Sequence, residues 1–180
     1  APSTAIVRNA TLTATRDVVG YGVNLNGPGS SAALQNVSIN SLGRLGTGVW
    51  LAGADTALSA TVFDIKSAHV GIDNRGGSVT LVDGVIQTNG AGAHGLYASR
   101  EVGTAATFDI TRTELNTQGD SAAGVMLRLS GSSVVLRESR ITTQGTNAEG
   151  LRALSPGTSI VATDSVVNTT GTNAAGVLIH

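Results

Sequence analysis

Gly124-Val125-Met126-Leu127 is followed 26 residues later by Gly150-Leu151-Arg152-Ala153, and the two stretches share one pattern. A glycine is followed by an apolar residue, a variable residue and a second apolar residue. The glycine recurs at intervals of 26, 23, 24, 29, 26 and 26 residues, at Gly22, Gly48, Gly71, Gly95, Gly124, Gly150 and Gly176. A period of this size, carried by residues that favour strands, indicates a stacked repeat fold.

The repeat contains two apolar columns with a variable column between them. One residue after each glycine the side chain is always aliphatic: Val23, Val49, Ile72, Leu96, Val125, Leu151 and Val177. Three residues after it the chain is apolar in all coils but one: Leu25, Leu51, Asn74, Ala98, Leu127, Ala153 and Ile179. Alternation with a period of two is typical of a strand with one buried face. The aliphatic column is therefore predicted to form one continuous inward stack, and the variable column to face outward.

A second strand segment precedes each glycine. Apolar residues lie fourteen and nine positions before it, for example Leu136 and Ile141 before Gly150. A turn must separate these two columns if both are to face inward, and the residues between them suit a turn in most coils: Asn36-Val37, Asp83-Gly84, Glu138-Ser139 and Asp164-Ser165, with Arg112-Thr113 as the exception. Three short strands and three turns per coil predict an all-β parallel β-helix of about seven coils of roughly 26 residues, with residues 1–180 as a single region. Because parallel crossovers are almost always right-handed, we expect a right-handed coil.

Composition and charge argue against several classes of function. The net charge is −1 with acids and bases interspersed, which speaks against a nucleic-acid partner and gives no support to an anionic membrane surface. Without cysteine the chain forms neither a disulfide nor a thiolate metal site. No segment approaches the roughly 20 apolar residues of a membrane-spanning helix, and no signal peptide is recognisable. The chain begins and ends inside strand-like runs, so we expect it to be a fragment of a longer protein.

Several segments resemble the passenger domains of pertactin-like autotransporters. They are Ala175-Gly176-Val177, the run Ser133-Val134-Val135-Leu136-Arg137-Glu138-Ser139-Arg140-Ile141, and corners such as Thr169-Thr170-Gly171. The resemblance implies a right-handed parallel β-helix at the surface of a Gram-negative bacterium, anchored in the outer membrane or secreted, and exported by a C-terminal translocator barrel. It also implies a virulence-associated adhesin that binds a host cell-surface or extracellular protein or glycan, without catalysis and without a cofactor.

The candidate binding surface combines the variable column with the residues two positions after it. We call it the recognition stripe, and its candidate binding residues are Trp50, Asp73, Arg75, Tyr97, Met126, Arg128 and Arg152. Trp, Tyr, Met and Arg are the residue types enriched at recognition surfaces. If these side chains point outward, replacing Trp50 or Tyr97 by Ala is expected to leave stability nearly unchanged. The alternatives are an ordinary scatter of solvent-facing side chains, or a surface covered by a segment outside this chain.

The turn column suggests a second function, a carbohydrate-active enzyme or its carbohydrate-binding scaffold. Some parallel β-helices act as polysaccharide lyases or glycosidases, which use clustered carboxylates. Asp83, Arg112, Glu138 and Asp164 occupy the turn of four successive coils at an expected spacing of about 5 Å, which suits a retaining glycosidase. Because Asn36 fills the same position in another coil, we favour a charge ladder over a catalytic pair. No catalytic residue and no metal site are assigned, and surface or corner positions are predicted for His69, His94 and His180.

Two coils depart from the usual length. The triplet Phe63-Asp64-Ile65 has the same sequence as Phe108-Asp109-Ile110. If the two are aligned, Ile65 lies only six residues before Gly71, where fourteen is usual. We therefore expect the coil before this glycine to lose or remake a turn after an excursion through residues 52–59. The 29-residue coil is expected to push out a loop around residues 100–104, and protruding loops are the usual carriers of specificity.

Overall fold

Two parallel β-sheets wrap around one narrow core in the computed structural model of the chain, which describes residues 1–15, 19–99 and 104–180. The described residues form strands, turns and bends but no helix, so none of them could cross a membrane as a helix. The chain passes repeatedly between the sheets, and the seven strands of the smaller sheet enclose about six turns of the solenoid. The predicted all-β parallel β-helix is confirmed, and its number of turns is close to the seven coils expected.

The strands repeat in a regular order along the chain. They are β1 (Thr4–Ala14), β2 (Tyr21–Leu25), β3 (Ser31–Ser41), β4 (Thr47–Leu51), β5 (Ala57–Ser67), β6 (Ile72–Asn74), β7 (Ser78–Thr88), β8 (Leu96–Ala98), β9 (Thr107–Thr117), β10 (Val125–Leu127), β11 (Ser133–Arg137), β12 (Arg140–Thr143), β13 (Leu151–Ala153), β14 (Ser159–Thr163), β15 (Val166–Thr169) and β16 (Val177–Ile179). The smaller sheet contains β2, β4, β6, β8, β10, β13 and β16, and the remaining nine strands form the larger sheet.

The predicted inward stack lies on the smaller sheet and is buried in the inner coils. Its members are paired in register and at most 2% exposed at Val49, Ile72, Leu96, Val125 and Leu151. Val23 is half-buried and Val177 is 53% exposed, because β2 and β16 lie at the two ends of the described sheet. The larger sheet faces this stack with a further buried column, Ile39, Ile65, Ile86, Leu115 and Ile141. The core is therefore a stack of aliphatic layers, one for each coil.

A single residue in the left-handed region bends the larger sheet in every coil. The φ angle at this position lies between 45° and 56° at all seven bends of the described chain: Asn9, Asn36, Val62, Asp83, Arg112, Glu138 and Asp164. The predicted turn between the two upstream columns is thus confirmed, and it takes the form of a bend within one strand in the earlier coils. Asn and Asp tolerate this conformation, whereas a β-branched residue such as Val62 is strained in it.

The recurring glycines lie where the backbone of the next coil leaves no room for a side chain. At Gly71 an added Cβ would lie 2.5 Å from the carbonyl oxygen of Gly95 and against Cγ2 of Ile86. A Cβ would meet the same two groups at Gly22, Gly48, Gly124 and Gly150. They are the carbonyl oxygen of the next glycine in the column and a branched side chain of the larger sheet. The repeat therefore keeps glycine here because any side chain would collide with the next coil.

A column of buried hydroxyls closes the corner that leads out of the larger sheet. It consists of residues at most 3% exposed, Ser41, Ser67, Thr88, Thr117 and Thr143. Each hydroxyl donates a hydrogen bond to a backbone carbonyl. Ser41 donates to Gly20 of the preceding coil at 3.0 Å, and the others donate across their own corner, for example Thr117 to Ala122 at 2.8 Å and Thr143 to Ala148 at 2.6 Å. Buried polar groups are tolerated when they are bonded in this way. The corner therefore turns sharply without leaving these carbonyls unsatisfied.

The predicted excursion through residues 52–59 is wrong. Strands β3 and β5 pair in register, and residues 57–59 lie beside residues 31–33. The triplet alignment behind that prediction is wrong as well, because Phe63 follows the bend of its strand whereas Phe108 precedes the bend of its own. The two triplets therefore occupy different positions in the coil despite their identical sequence.

The short coil instead loses three residues at the corner between β5 and β6. Ser67 and Ile72 are five positions apart, whereas their register partners Ser41 and Val49 are eight positions apart. A shortened turn is thus present in the predicted coil, but after the long strand and not before it.

The long coil carries its extra residues between β8 and β9. Eight residues separate these two strands, compared with five between β10 and β11. The insertion falls where the loop around residues 100–104 was predicted. Residues 100–103 lie outside the described part of the chain.

Candidate functional site

The recognition stripe runs along the outer face of the smaller sheet. Parallel pairing brings its first column together in register: Trp50 beside Asp73, then Tyr97, Met126 and Arg152. The second column adds Arg75 and Arg128, each two positions further along the chain. Candidate residues that are more than a hundred positions apart in sequence therefore share one surface, as the repeat predicted.

Exposure differs sharply along this surface. Asp73 is 7% exposed and Met126 is 4% exposed, so the prediction that the whole variable column faces solvent is wrong at these two positions. Trp50 and Tyr97 are half-buried, as are Arg75 and Arg152, and Arg128 is exposed. What is open to a partner is therefore a set of aromatic edges and guanidinium groups around two buried residues.

The indole of Trp50 is held between side chains from the neighbouring coils. The ring of Tyr21, from the preceding coil, stacks on it with centroids 5.0 Å apart and an angle of 18° between the planes. The guanidinium of Arg75, from the following coil, lies 5.1 Å from the indole centroid. Tyr21 lies outside the two columns of the stripe and was not predicted from the sequence to belong to the site. Trp50 is consequently a structural element of the stripe as well as a candidate contact residue.

Ion pairs order most of the charged groups of the stripe. Arg75 Nε lies 3.1 Å from Asp73 Oδ2, and Arg152 Nη1 lies 3.3 Å from Oε2 of the buried Glu149. Arg128 has no ion pair with any residue that the structure describes. This exposed guanidinium is the charged group of the stripe most accessible to a partner.

Two histidines lie at the corner beside the stripe, as predicted for corner residues. The ring of His94 is tilted against Tyr97 at 5.0 Å, and its Nδ1 accepts a hydrogen bond from the backbone nitrogen of Ala123 at 3.0 Å. Burial lowers the pKa of His94 to about 4, and the positive charges of His69, Arg152 and Arg128 add to the decrease. Burial also lowers the pKa of His69, against the opposing charge of Asp73. His94 is therefore neutral at neutral pH.

A shallow recess opens at one end of the stripe. Its volume is about 220 Å³, and its walls include Tyr21, Trp50, His69, Arg75 and Tyr97. Ligand cavities for whole small molecules usually begin at about 300 Å³. The recess is therefore better matched to a single protruding group of a larger partner.

The turn column forms a different site on the larger sheet. Arg112 donates two hydrogen bonds to the carboxylate of Asp83, from Nε to Oδ1 at 2.6 Å and from Nη2 to Oδ2 at 3.0 Å. These bonds lower the pKa of Asp83 and raise that of Arg112, to which Glu138 adds a smaller contribution. An open groove of about 570 Å³ lies over these residues. The predicted contact between Asp83 and Arg112 is present, and it keeps Asp83 as a bound carboxylate.

No group of three or more His, Asp and Glu residues suited to a metal ion occurs among residues 1–15, 19–99 and 104–180. Comparison with protein-family models, with curated proteins and with solved structures finds no match for this chain. The surfaces of the chain are therefore the guide to its function.

Proposed function

We propose that this chain is a β-helical passenger segment, surface-exposed or secreted, that binds a host cell-surface or extracellular protein through the recognition stripe. The observation that carries the proposal is the ordered cluster of Tyr21, Trp50 and Arg75, whose aromatic edges and guanidinium border an open recess. Ordered aromatic and arginine side chains bind partners well because little side-chain entropy remains to be lost. In this proposal the chain itself carries out no chemistry.

The shape of the surface favours a macromolecule over a small molecule. A parallel sheet presents an extended face, and the recess in it is small. Arg128 and Tyr97 stand on this face in adjacent coils and are at least partly exposed. A protein partner that inserts one side chain into the recess and contacts these residues would use the whole stripe.

The binding test uses variants that do not disturb the fold. Arg128→Ala removes an exposed group without an ion pair among the described residues, so its folding should be unchanged. The matched control is Arg8→Ala, which removes an arginine that is also exposed but lies on the larger sheet. We expect the first variant to weaken binding of the labelled protein to cultured epithelial cells about tenfold by flow cytometry, and the control to bind normally. Equal binding by both variants would reject the stripe as the contact surface.

The proposed location is testable by itself. An antibody against the chain should label intact bacteria that express the full-length gene, or detect the protein in their medium. Protease added to intact cells should then remove the label. Detection only after the cells are broken open would contradict a surface or secreted location.

A second candidate function is a carbohydrate-active enzyme at the turn column. It is favoured by the groove of about 570 Å³ over Asp83, Arg112 and Glu138. The engagement of Asp83 by Arg112 speaks for a charge ladder instead, because this carboxylate is already bonded. A reducing-end assay on a panel of polysaccharides decides between the two. Activity that is lost on Glu138→Gln would establish the enzyme and overturn the non-catalytic proposal.

A further inference from the structure

A second polar surface lies on the outer side of the larger sheet, where its strands end. We call it the amide face, and it consists of Gln87, Asn89, Asn116, Gln118, Thr142 and Gln144. Gln87, Asn116 and Thr142 are paired in register across β7, β9 and β12. Gln118 and Gln144 follow two positions later, and their backbone nitrogens are bonded to the preceding coils. The result is a two-wide array that repeats once per coil along the axis.

The array lines a cavity of about 310 Å³. This volume reaches the range of cavities that hold small ligands. Leu42 is exposed and is the one aliphatic residue among the described residues that line the cavity; the others carry amide, hydroxyl or ammonium groups on their side chains. The amide face is therefore concave, unlike a flat, solvated sheet surface.

The side-chain amides of this face are not used by the fold. Gln87, Asn116, Gln118 and Gln144 make no side-chain hydrogen bond within the part of the chain that the structure describes. Stacked amides in β-helical coils can bond to one another along the axis, as the side chains of Asn36 and Asn9 do at 2.9 Å. Each amide supplies two donors and a carbonyl oxygen with two acceptor sites. The cavity is thus surrounded by donors and acceptors that remain open to a ligand.

The amide face is also electrically neutral. Lys66 is the one charged residue among the described residues that line the cavity, and its ammonium lies 3.0 Å from Oδ2 of Asp64. The charged side chains of the neighbouring column, Glu114 and Arg140, line the groove over the turn column instead. An anionic ligand would find no unpaired cation here, and an extended peptide would find no free backbone edge, because both columns lie within paired strands and corners.

We propose that the amide face binds a neutral, unbranched oligosaccharide that lies along the axis of the solenoid. A sugar chain presents uncharged hydroxyl groups that both donate and accept, which matches free side-chain amides. Coils repeat at about 4.8 Å, close to the length of one sugar ring, so successive amides meet successive sugar residues. This site is on the other sheet from the recognition stripe, so it stands whether or not the stripe binds a protein.

The test measures binding of neutral and acidic hexasaccharides to the whole chain. Cello-, xylo- and malto-hexaose are the neutral probes, and oligogalacturonate is the acidic one. Titration calorimetry is combined with NMR of the nitrogen-15-labelled side-chain amides. We expect one neutral sugar to bind with shifts of the amide signals of Gln118 and Gln144, and with little dependence on salt.

Variants then locate the site. The double variant Gln118→Ala with Gln144→Ala should reduce the affinity for that sugar about tenfold or more, since several hydrogen bonds are lost. The matched control is Gln35→Ala, an exposed amide in β3 that does not line the cavity. Arg128→Ala should also leave sugar binding unchanged, which separates this proposal from the protein-binding one. Absence of binding by every neutral sugar, preference for the acidic sugar, or equal affinity in the double variant would each overturn the proposal.

Discussion

The carbonyl oxygen of Gly150 lies 2.7 Å from the position that a Cβ on Gly124 would occupy. Cγ2 of Ile141 would also be in contact with the added atom. The neighbouring coil is held in place by strand pairing on both sheets, so the obstacle cannot move away easily. The spacing of the coils thus depends on the absence of a side chain at this column.

Gly124→Ala is therefore expected to destabilise the protein by about 1–3 kcal/mol or more, as overpacking does. The measurement is urea unfolding followed by circular dichroism. The matched control is Gly176→Ala, because a Cβ at this glycine would meet no atom within 4 Å. If Gly124→Ala is as stable as Gly176→Ala, the coils can move apart without loss of free energy and this explanation of the glycine is wrong.

Val62 offers a stabilising substitution. It occupies the left-handed bend with φ 51° and is 50% exposed, so it has the strain of a β-branched residue without the benefit of full burial. Val62→Asn should raise the free energy of unfolding by roughly 1 kcal/mol, since left-handed geometry costs L-residues about 1–2 kcal/mol and Asn bears it best. Val166→Asn is the control, because this valine is 43% exposed but has no positive φ. Equal effects at the two sites would contradict the role assigned to the bend.

The pH dependence of stability should show the effect of the lowered pKa of His94. Its folded-state pKa of about 4 lies below the ordinary value of 6.5, so the unfolded chain takes up the proton first as the pH falls. Stability should be complete above about pH 6.5 and decline toward pH 4, by at most about 1.4 kcal/mol per pH unit for this group. The lowered pKa of His69 acts in the same direction.

His94→Asn tests this assignment, since its side-chain oxygen can still accept the hydrogen bond from Ala123 but does not titrate in this range. Chemical unfolding at pH 7 and at pH 5 should show a smaller difference for the variant than for the parent protein. An unchanged difference would assign the pH dependence to other groups.

Trp50→Ala should now destabilise the fold, in contrast to the expectation from sequence. The change removes a stacked aromatic pair and a cation–π contact, which together are worth about 1–3 kcal/mol. Trp50→Phe keeps a ring between Tyr21 and Arg75 and should retain more of the stability. A melting temperature of the Ala variant equal to that of the parent would show that these contacts contribute nothing.

The columns were predictable from the sequence because each coil repeats the same residue types at the same distances from its glycine. The buried stack through Val125 and the bend at Glu138 both follow from residue types that recur at fixed distances. The position of the missing corner residues was not predictable, because Phe63-Asp64-Ile65 fits the alternation on either side of a bend. The burial of Met126 was not predictable either, since its column varies in residue type from coil to coil and carries no apolar periodicity.

Each described strand pairs only with its counterparts in the adjacent coils. The rim of a completed coil is therefore a template on which the next coil can form, and folding can start at any coil and propagate in one dimension. When a chain of this fold emerges progressively, as during synthesis, each new coil can therefore be captured on the one before it. The free energy of stacking would then act as a ratchet that opposes the release of that coil.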